Sequence, residues 1–346
     1  MARLVVTGAA SPLGAKVLEL MTRRDDVDSV VGVDLLPVVV PGAETEQLDL
    51  ATADLGPVFA GADCVIHLAS VFGPTIGGPE VADAVDVTLV RRVLTAAGDA
   101  RVSQVVHLSS ATVYGAWANN TVPLTEEAPL RPNPELAGAV QKAEAERLIA
   151  EWSLDHPDVP VARLRPAPVV LEEGRSWLTE ALDAAAELPV SAEPPAQYLH
   201  VDDLASAVVA AWEARLDGPV NVAPDGWLTP TERRALDPVP RVRLPERLAV
   251  TVSTWRWRLG LAPTHPGVLA YARHPWVVAN DRLTATGWRP THSNEEAYVV
   301  GHDASLIESI SPQRRQELAL GAAAGVLAAV GAGVFALVRR RLRRRA

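Results

Sequence analysis

The residues best suited to chemistry lie at the start of the chain. An apolar run, Leu4–Thr7, leads into Thr7-Gly8-Ala9-Ala10-Ser11-Pro12-Leu13-Gly14. Gly8 permits a tight turn, and Gly14 permits close packing of a following helix on the strand. The N–H groups at that helix's start suit a pyrophosphate. Ser11 takes the middle position, where the backbone must approach phosphate. Ser11-Pro12 is also a favoured N-cap followed by proline at the first helical position. A second apolar run ends in Val33-Asp34, 20 residues beyond Gly14. An acid there accepts the ribose hydroxyls of NAD and repels the 2′-phosphate of NADP. Asp49-Leu50 closes the next apolar stretch and is placed to sit near adenine. These residues together predict a dinucleotide site that takes NAD.

Other reactive types are sparse. Lys16 and Lys142 are the only lysines, against 30 arginines. His67 and His107 fall inside apolar runs and read as packed core histidines. His200 precedes Asp202 and Asp203, of which Asp202 reads as a helix cap. The eight histidines show no clustered spacing, so no metal site is expected. The single cysteine, Cys64, excludes an internal disulfide and a thiolate zinc cluster. Net charge is −10, and six of the 32 basic residues are the arginines at 339–341 and 343–345. The preceding residues carry 26 basic against 42 acidic groups, a field that repels nucleic acid.

The elements that must position these groups alternate. Apolar runs at Leu4–Thr7, Ser29–Val33, Cys64–Leu68, Gln104–Leu108 and Val161–Leu164 suit strands buried on both faces of a parallel sheet. Helical patterns fall between them at 13–23, 80–98 and 134–153. This order predicts an α/β fold, a Rossmann-like doubly wound parallel sheet. Residues 166–200 are rich in proline and alanine. A helical pattern opens at Asp202 and Asp203 and runs to about Arg215, residues 219–245 read as loop, and a helix is expected over 245–259. Trp255-Arg256-Trp257-Arg258 fits an amphipathic helix there. The expected organisation is a nucleotide-binding domain over 1–165, its sheet completed by parts of 198–222, and a smaller substrate-binding part over 166–312.

Residues 318–338 form 21 positions without a charge, followed by an arginine-rich tail over 339–346. That length at 1.5 Å per residue matches a ~30 Å hydrocarbon core. The stretch predicts membrane association through 318–346. The N-terminal residues do not read as a secretory signal, so the nucleotide domain is expected to face the cytoplasm, with the side taken by the tail left open.

Six segments occur in an order that resembles the extended short-chain dehydrogenases/reductases, the NAD-dependent epimerase/dehydratase group. They are Thr7–Gly14, Asp34, Asp49-Leu50, Val65-Ile66-His67-Leu68-Ala69, Ser109-Ser110-Ala111-Thr112-Val113-Tyr114-Gly115 and His200-Val201-Asp202-Asp203-Leu204-Ala205. The resemblance covers about residues 1–300 and implies a Rossmann domain that holds NAD(P), with a smaller C-terminal part closing over the substrate. It implies cofactor contacts from Leu68, Ala69 and Lys142, a catalytic role for Ser110 and Lys142, and a nucleotide-sugar or lipid-like substrate. It also allows a homodimer. The family's proton donor is a tyrosine four residues before the lysine, and that position is Gly138. No tyrosine lies between Tyr114 and Tyr198, and Tyr114 matches a structural position. The sequence therefore predicts an NAD-binding, membrane-associated protein with a degenerate catalytic site, in a sensing or binding role. The alternative is an active epimerase, dehydratase or oxidoreductase with a replacement acid or base.

Overall fold

The computed structural model describes residues 1–70, 85–172, 176–186, 193–236, 251–252, 254–255, 259 and 266–301. Strands β1 (Ala2–Thr7), β2 (Val27–Asp34), β3 (Glu44–Gln47), β4 (Cys64–His67), β5 (Gln104–Leu108) and β6 (Val161–Pro166) belong to one seven-stranded sheet. Its order is β3-β2-β1-β4-β5-β6-β9, where β9 is Gly218–Val222, and every pair is parallel. A two-stranded parallel pair, β7 (Val169–Val170) and β8 (Leu199–His200), lies beyond the end of β6.

Period-two alternation sends the strand side chains to both faces. Leu4, Val6, Ile66, Val106 and Leu164 join one core with Val17, Leu18 and Met21 of helix α1 (Pro12–Thr22). Val5, Val65, Val105 and Val161 face the other, under Phe59 of α2 (Gly56–Phe59), Val93 of α3 (Val85–Ala100) and Ile149 of α4 (Ala137–Asp155). Two apolar faces on a parallel sheet require helices on both sides, and the chain supplies them. Helix α5 (Trp177–Ala186) follows β7. Helix α6 (Val201–Glu213) packs on α1. Short helices α7 (Pro230–Leu236) and α8 (Asp281–Thr284), then α9 (Asn294–Gly301), follow β9.

The five expected strands and the helices over 13–23 and 134–153 form with small shifts of boundary, as does the described part of the helix over 80–98. Three elements differ. Gly218–Val222 is a sheet strand inside the span 198–222 expected to complete the sheet, although 219–222 also read as loop; Pro219 sits on an edge strand, where a missing N–H is tolerated. Glu44–Gln47 is a strand although all four residues are exposed, which hides any apolar pattern. Helix α5 forms inside the proline- and alanine-rich segment 166–200, where no element was expected. Most of the helix expected over 245–259 lies outside the described residues, as does the entire stretch 318–346. Among the described residues, no helix is long and apolar enough to cross a membrane.

The C-terminal ends of β5, β6 and β9 are held by a buried polar network. Glu146 of α4 accepts from Arg165 Nε at 2.9 Å and Arg165 Nη2 at 2.5 Å, and Ser109 Oγ donates to it at 2.6 Å. Arg165 Nη1 donates to the Tyr114 hydroxyl at 2.6 Å, and that hydroxyl donates to Asn221 Oδ1 at 2.7 Å. Asn221 N–H donates to Glu126 Oε1 at 2.9 Å. All of Glu146, Arg165, Tyr114 and Asn221 are buried. Removing one charge of a buried pair leaves the other desolvated and unpaired. Glu146→Gln should therefore lower the unfolding free energy by about 3–5 kcal/mol, read from urea unfolding of the parent and the variant.

Candidate functional site

The turn after β1 is built as a cradle. Gly8 has φ +78°, and a Cβ there would lie 2.6 Å from the Ala69 nitrogen and 2.8 Å from the Leu68 carbonyl carbon. Only glycine allows the turn to press on the end of β4 in this way. A Cβ on Gly14 would fall 2.1 Å from the Gly8 carbonyl oxygen, so α1 begins in direct contact with the turn. Ser11 is the N-cap: its Oγ accepts from the Gly14 N–H at 3.0 Å and donates to the Gly8 carbonyl at 2.7 Å. Pro12 opens the helix and Leu13 is buried against it.

Asp34 ends β2 beside this turn. Its Oδ2 accepts from the Ala10 N–H and its Oδ1 from the Leu36 N–H, both at 3.0 Å. These bonds fix the carboxylate at the mouth of the glycine turn and leave further lone pairs for hydroxyl donors. Asp49 closes a turn by accepting from the Ala51 N–H and the Thr52 hydroxyl, both at 2.9 Å. Those bonds hold its carboxyl below the usual range. Leu50 is buried beside it.

A second group of side chains lies at the ends of β4 and β5. Lys142 of α4 is buried, and its Nζ donates to the Leu108 carbonyl at 3.0 Å and lies 3.5 Å from Asp86 Oδ2. Ser70 Oγ donates to the same Asp86 oxygen at 3.0 Å. Asp86 was missed by the sequence reading; its signal was an acid in the first turn of the helix after β4, facing one of only two lysines. Ser110, two residues beyond Leu108, caps the 3-10 turn Ala111–Tyr114. Its Oγ accepts from the Thr112 N–H at 3.2 Å and the Thr112 hydroxyl at 2.9 Å, which leaves its own hydrogen to donate.

Gly138 lies one turn before Lys142 on α4, which packs on the Ala111–Tyr114 turn. A Cβ at Gly138 would meet no heavy atom within 4 Å. Two described tyrosines, Tyr114 and Tyr271, are already engaged. Tyr114 is spent on Arg165 and Asn221, and burial pushes its hydroxyl up to about 12. Tyr271 donates to the Thr112 carbonyl at 2.7 Å, and burial also pushes it up.

His67 and His107 stack with ring centroids 5.4 Å apart, both buried. His67 Nδ1 is 2.7 Å from the Thr7 hydroxyl, while its Nε2 and both nitrogens of His107 make no hydrogen bond among the described residues. Burial, reinforced by the Lys142 charge, holds His67 down at about 4 and His107 well below its usual value. Both are neutral core histidines at neutral pH.

The helix cap before α6 is His200, not Asp202: His200 Nδ1 accepts from the Asp202 N–H at 3.2 Å. Asp202 instead pairs with Lys16 of α1 at 2.5 Å. Asp203 accepts from the N–H of Thr291 at 2.8 Å and of His292 at 3.0 Å, and from the Thr291 hydroxyl at 2.6 Å. The fold thus brings His200, Asp202 and His292 together, with one ligand-type atom from each within 4.8 Å of the others. Sequence spacing concealed this cluster. The cap, the Lys16 pair and the contact of His292 Nδ1 with Asp203 at 3.1 Å already engage its groups.

Comparison with known proteins fits this geometry. The model of the NAD dependent epimerase/dehydratase family matches residues 4–223, and the chain belongs to that family. A curated Streptomyces protein, "3-diazoavenalumate denitrifying reductase", is 35% identical over 181 residues, which are 49% of this chain and 55% of the relative. The chain spans about half the length of that relative. A solved UDP-galactose 4-epimerase is 26% identical with a TM-score of 0.62, covering 86% of this chain and 97% of that one. A UDP-glucuronic acid 4-epimerase from Bacillus cereus, solved with NAD, is 15% identical with a TM-score of 0.64, covering 86% and 96%. The cofactor is NAD, and the Gly8–Gly14 cradle with Asp34 fits it.

Two outcomes follow from this geometry. Calorimetry should show NAD binding more tightly than NADP, with Asp34→Ala narrowing the difference; tighter NADP binding by the parent would remove the ribose role. The buried histidines set a pH dependence. An unfolded histidine titrates near 6.5 and folded His67 near 4, so between those values only the unfolded chain takes up the proton. Stability should fall on acidification through that window, by up to about 1.4 kcal/mol per pH unit for each such histidine. Above pH 7 these groups contribute no slope. Urea unfolding from pH 4 to 8 checks this, and His107→Gln should flatten the acid limb.

Proposed function

We propose that this chain binds NAD(H) and works without the tyrosine relay of its family. One observation carries the reading: glycine stands at 138, one turn before Lys142, and a Cβ there would meet no heavy atom within 4 Å. A general acid must reach the reacting proton at hydrogen-bond distance, and glycine has nothing to offer. Lys142 and Ser110 keep positioning roles, one beneath the end of β5 and one with a hydroxyl hydrogen to give. Such a protein suits binding or sensing of the dinucleotide and its redox state. Residues 318–346 would hold it at a membrane, with the nucleotide domain in the cytoplasm; protease digestion of that domain from outside intact cells would overturn the placement.

A second reading is favoured by the 35% identical reductase. Bound NADH would supply a hydride, and an acceptor that already carries a positive charge would need no proton from the protein. In that case the missing tyrosine restricts the substrate and does not abolish turnover. Ser110 would orient the acceptor, and the buried Lys142 would hold the end of β5 in place.

The test uses the full-length chain with NAD and UDP-glucose. Interconversion with UDP-galactose should run about 10²–10⁴-fold below a relay-containing relative, the usual worth of general acid–base catalysis. Gly138→Tyr should raise any trace rate, since the new side chain has room at its Cβ. Robust turnover lost on Lys142→Ala or Ser110→Ala would overturn the proposal. For the second reading, NADH should reduce a cyclic iminium ion and spare the matching ketone; equal rates on both would reject it.

A further inference from the structure

We infer that His200 is a pH-operated helix cap: the neutral imidazole closes the N-terminus of α6, and protonation opens it. The device belongs to a joint of the fold and needs neither the tyrosine relay nor the bound cofactor.

An N-cap side chain accepts a hydrogen bond from one of the free N–H groups of the first helical turn. A hydroxyl or amide oxygen does this at any ordinary pH. Here the acceptor is a ring nitrogen. His200 Nδ1 takes the Asp202 N–H at 3.2 Å, with the His200 backbone extended at φ −69° and ψ 144°. A neutral imidazole has one nitrogen lone pair to offer. An imidazolium has none, since both ring nitrogens then carry hydrogen. A proton on His200 therefore removes the acceptor whichever way the ring is turned. It also sets a positive charge at the positive end of the helix dipole.

Charged and titratable groups face His200 from several parts of the chain. His292, just before α9, stacks on its ring with centroids 3.9 Å apart. Asp202 Oδ2 lies 3.6 Å from Nδ1, and Asp203 and Glu172 act on the ring through their charge. Lys16 of α1 holds Asp202 and, at 3.1 Å, Glu172. Burial, then His292, holds the His200 imidazole below its ordinary value, against the pull of the three carboxylates. Histidine in an unfolded chain titrates near 6.5, so the cap is complete above about that pH and is lost as pH falls below it. The first turn of α6 joins distant parts of the fold. Asp202 reaches Lys16 on the helix that opens the cradle, and Asp203 accepts from the N–H groups of Thr291 and His292. A charged His200 loosens both ties at once.

Backbone NMR on the deuterated full-length protein follows amide exchange from about pH 7 to about pH 5.5, corrected for the intrinsic pH dependence of exchange. Protection of the Asp202 amide in the parent should fall about fivefold as His200 charges, the usual worth of an N-cap. His200→Asn keeps a strong cap whose amide oxygen does not titrate, so its protection should stay level. His200→Ala should be poorly protected at both ends of the range. A level parent overturns the inference even if the variants do not fold. An equal fall in His200→Asn overturns it as well, since the titrating group then lies elsewhere, and so does parent-like protection of His200→Ala at neutral pH. An equal loss at the amides of β4 and β5 would also overturn it, because it would mark opening of the whole chain driven by the buried His67 and His107.

Discussion

A single buried carboxylate organises the reactive end of the sheet. Glu146 sits on a helix, Arg165 ends one strand, Ser109 follows another, and Tyr114 carries the contact on to Asn221 of the edge strand. None of these groups can turn to water, so each must find its partner inside the protein. Because the partners belong to different strands, the network fixes the relative height of the strand ends. Ser110, which follows Ser109, inherits its position from this arrangement.

The dinucleotide cradle and the proton relay depend on different kinds of structure. The cradle is made by backbone: a left-handed glycine, a helix start, and a carboxylate held by two N–H groups. The relay depends on one side chain at one helical position. A glycine at position 138 is compatible with the packing of α4, in which Ala139, Ala143 and Ala145 are buried. A fold of this kind can change its chemistry without changing its cofactor site.

The parts legible in the sequence were those set by local pattern. Strand alternation, the Ser11-Pro12 cap and the contact of Gly14 with Gly8 follow from neighbours in the chain, and the lysine at 142 fixed the frame that placed Gly138. What stayed hidden depends on partners far away. Glu146 reads as an ordinary helical acid until Arg165 and Ser109 are placed beside it. Asp203 serves residues 291 and 292, and Asp86 serves Lys142, 56 positions further on. Edge strand β3 carries no buried residue, so no hydrophobic period marks it. Arg233 lies in a short helix with a second arginine beside it, and nothing local distinguishes the buried one from the exposed one.

The packing of α1 on α6 has a consequence for synthesis. Helix α1 ends in the sequence at Thr22, yet the helix that covers it begins at Val201, about 180 residues later. At roughly 5–20 residues per second, Val17, Leu18 and Met21 wait about ten to forty seconds for their cover. The edge strand β9 arrives later still. The nascent chain thus emerges with its ligand cradle first and the cover of its own apolar face last, which makes the interval on the ribosome its most exposed moment and gives chaperones a defined surface to shield.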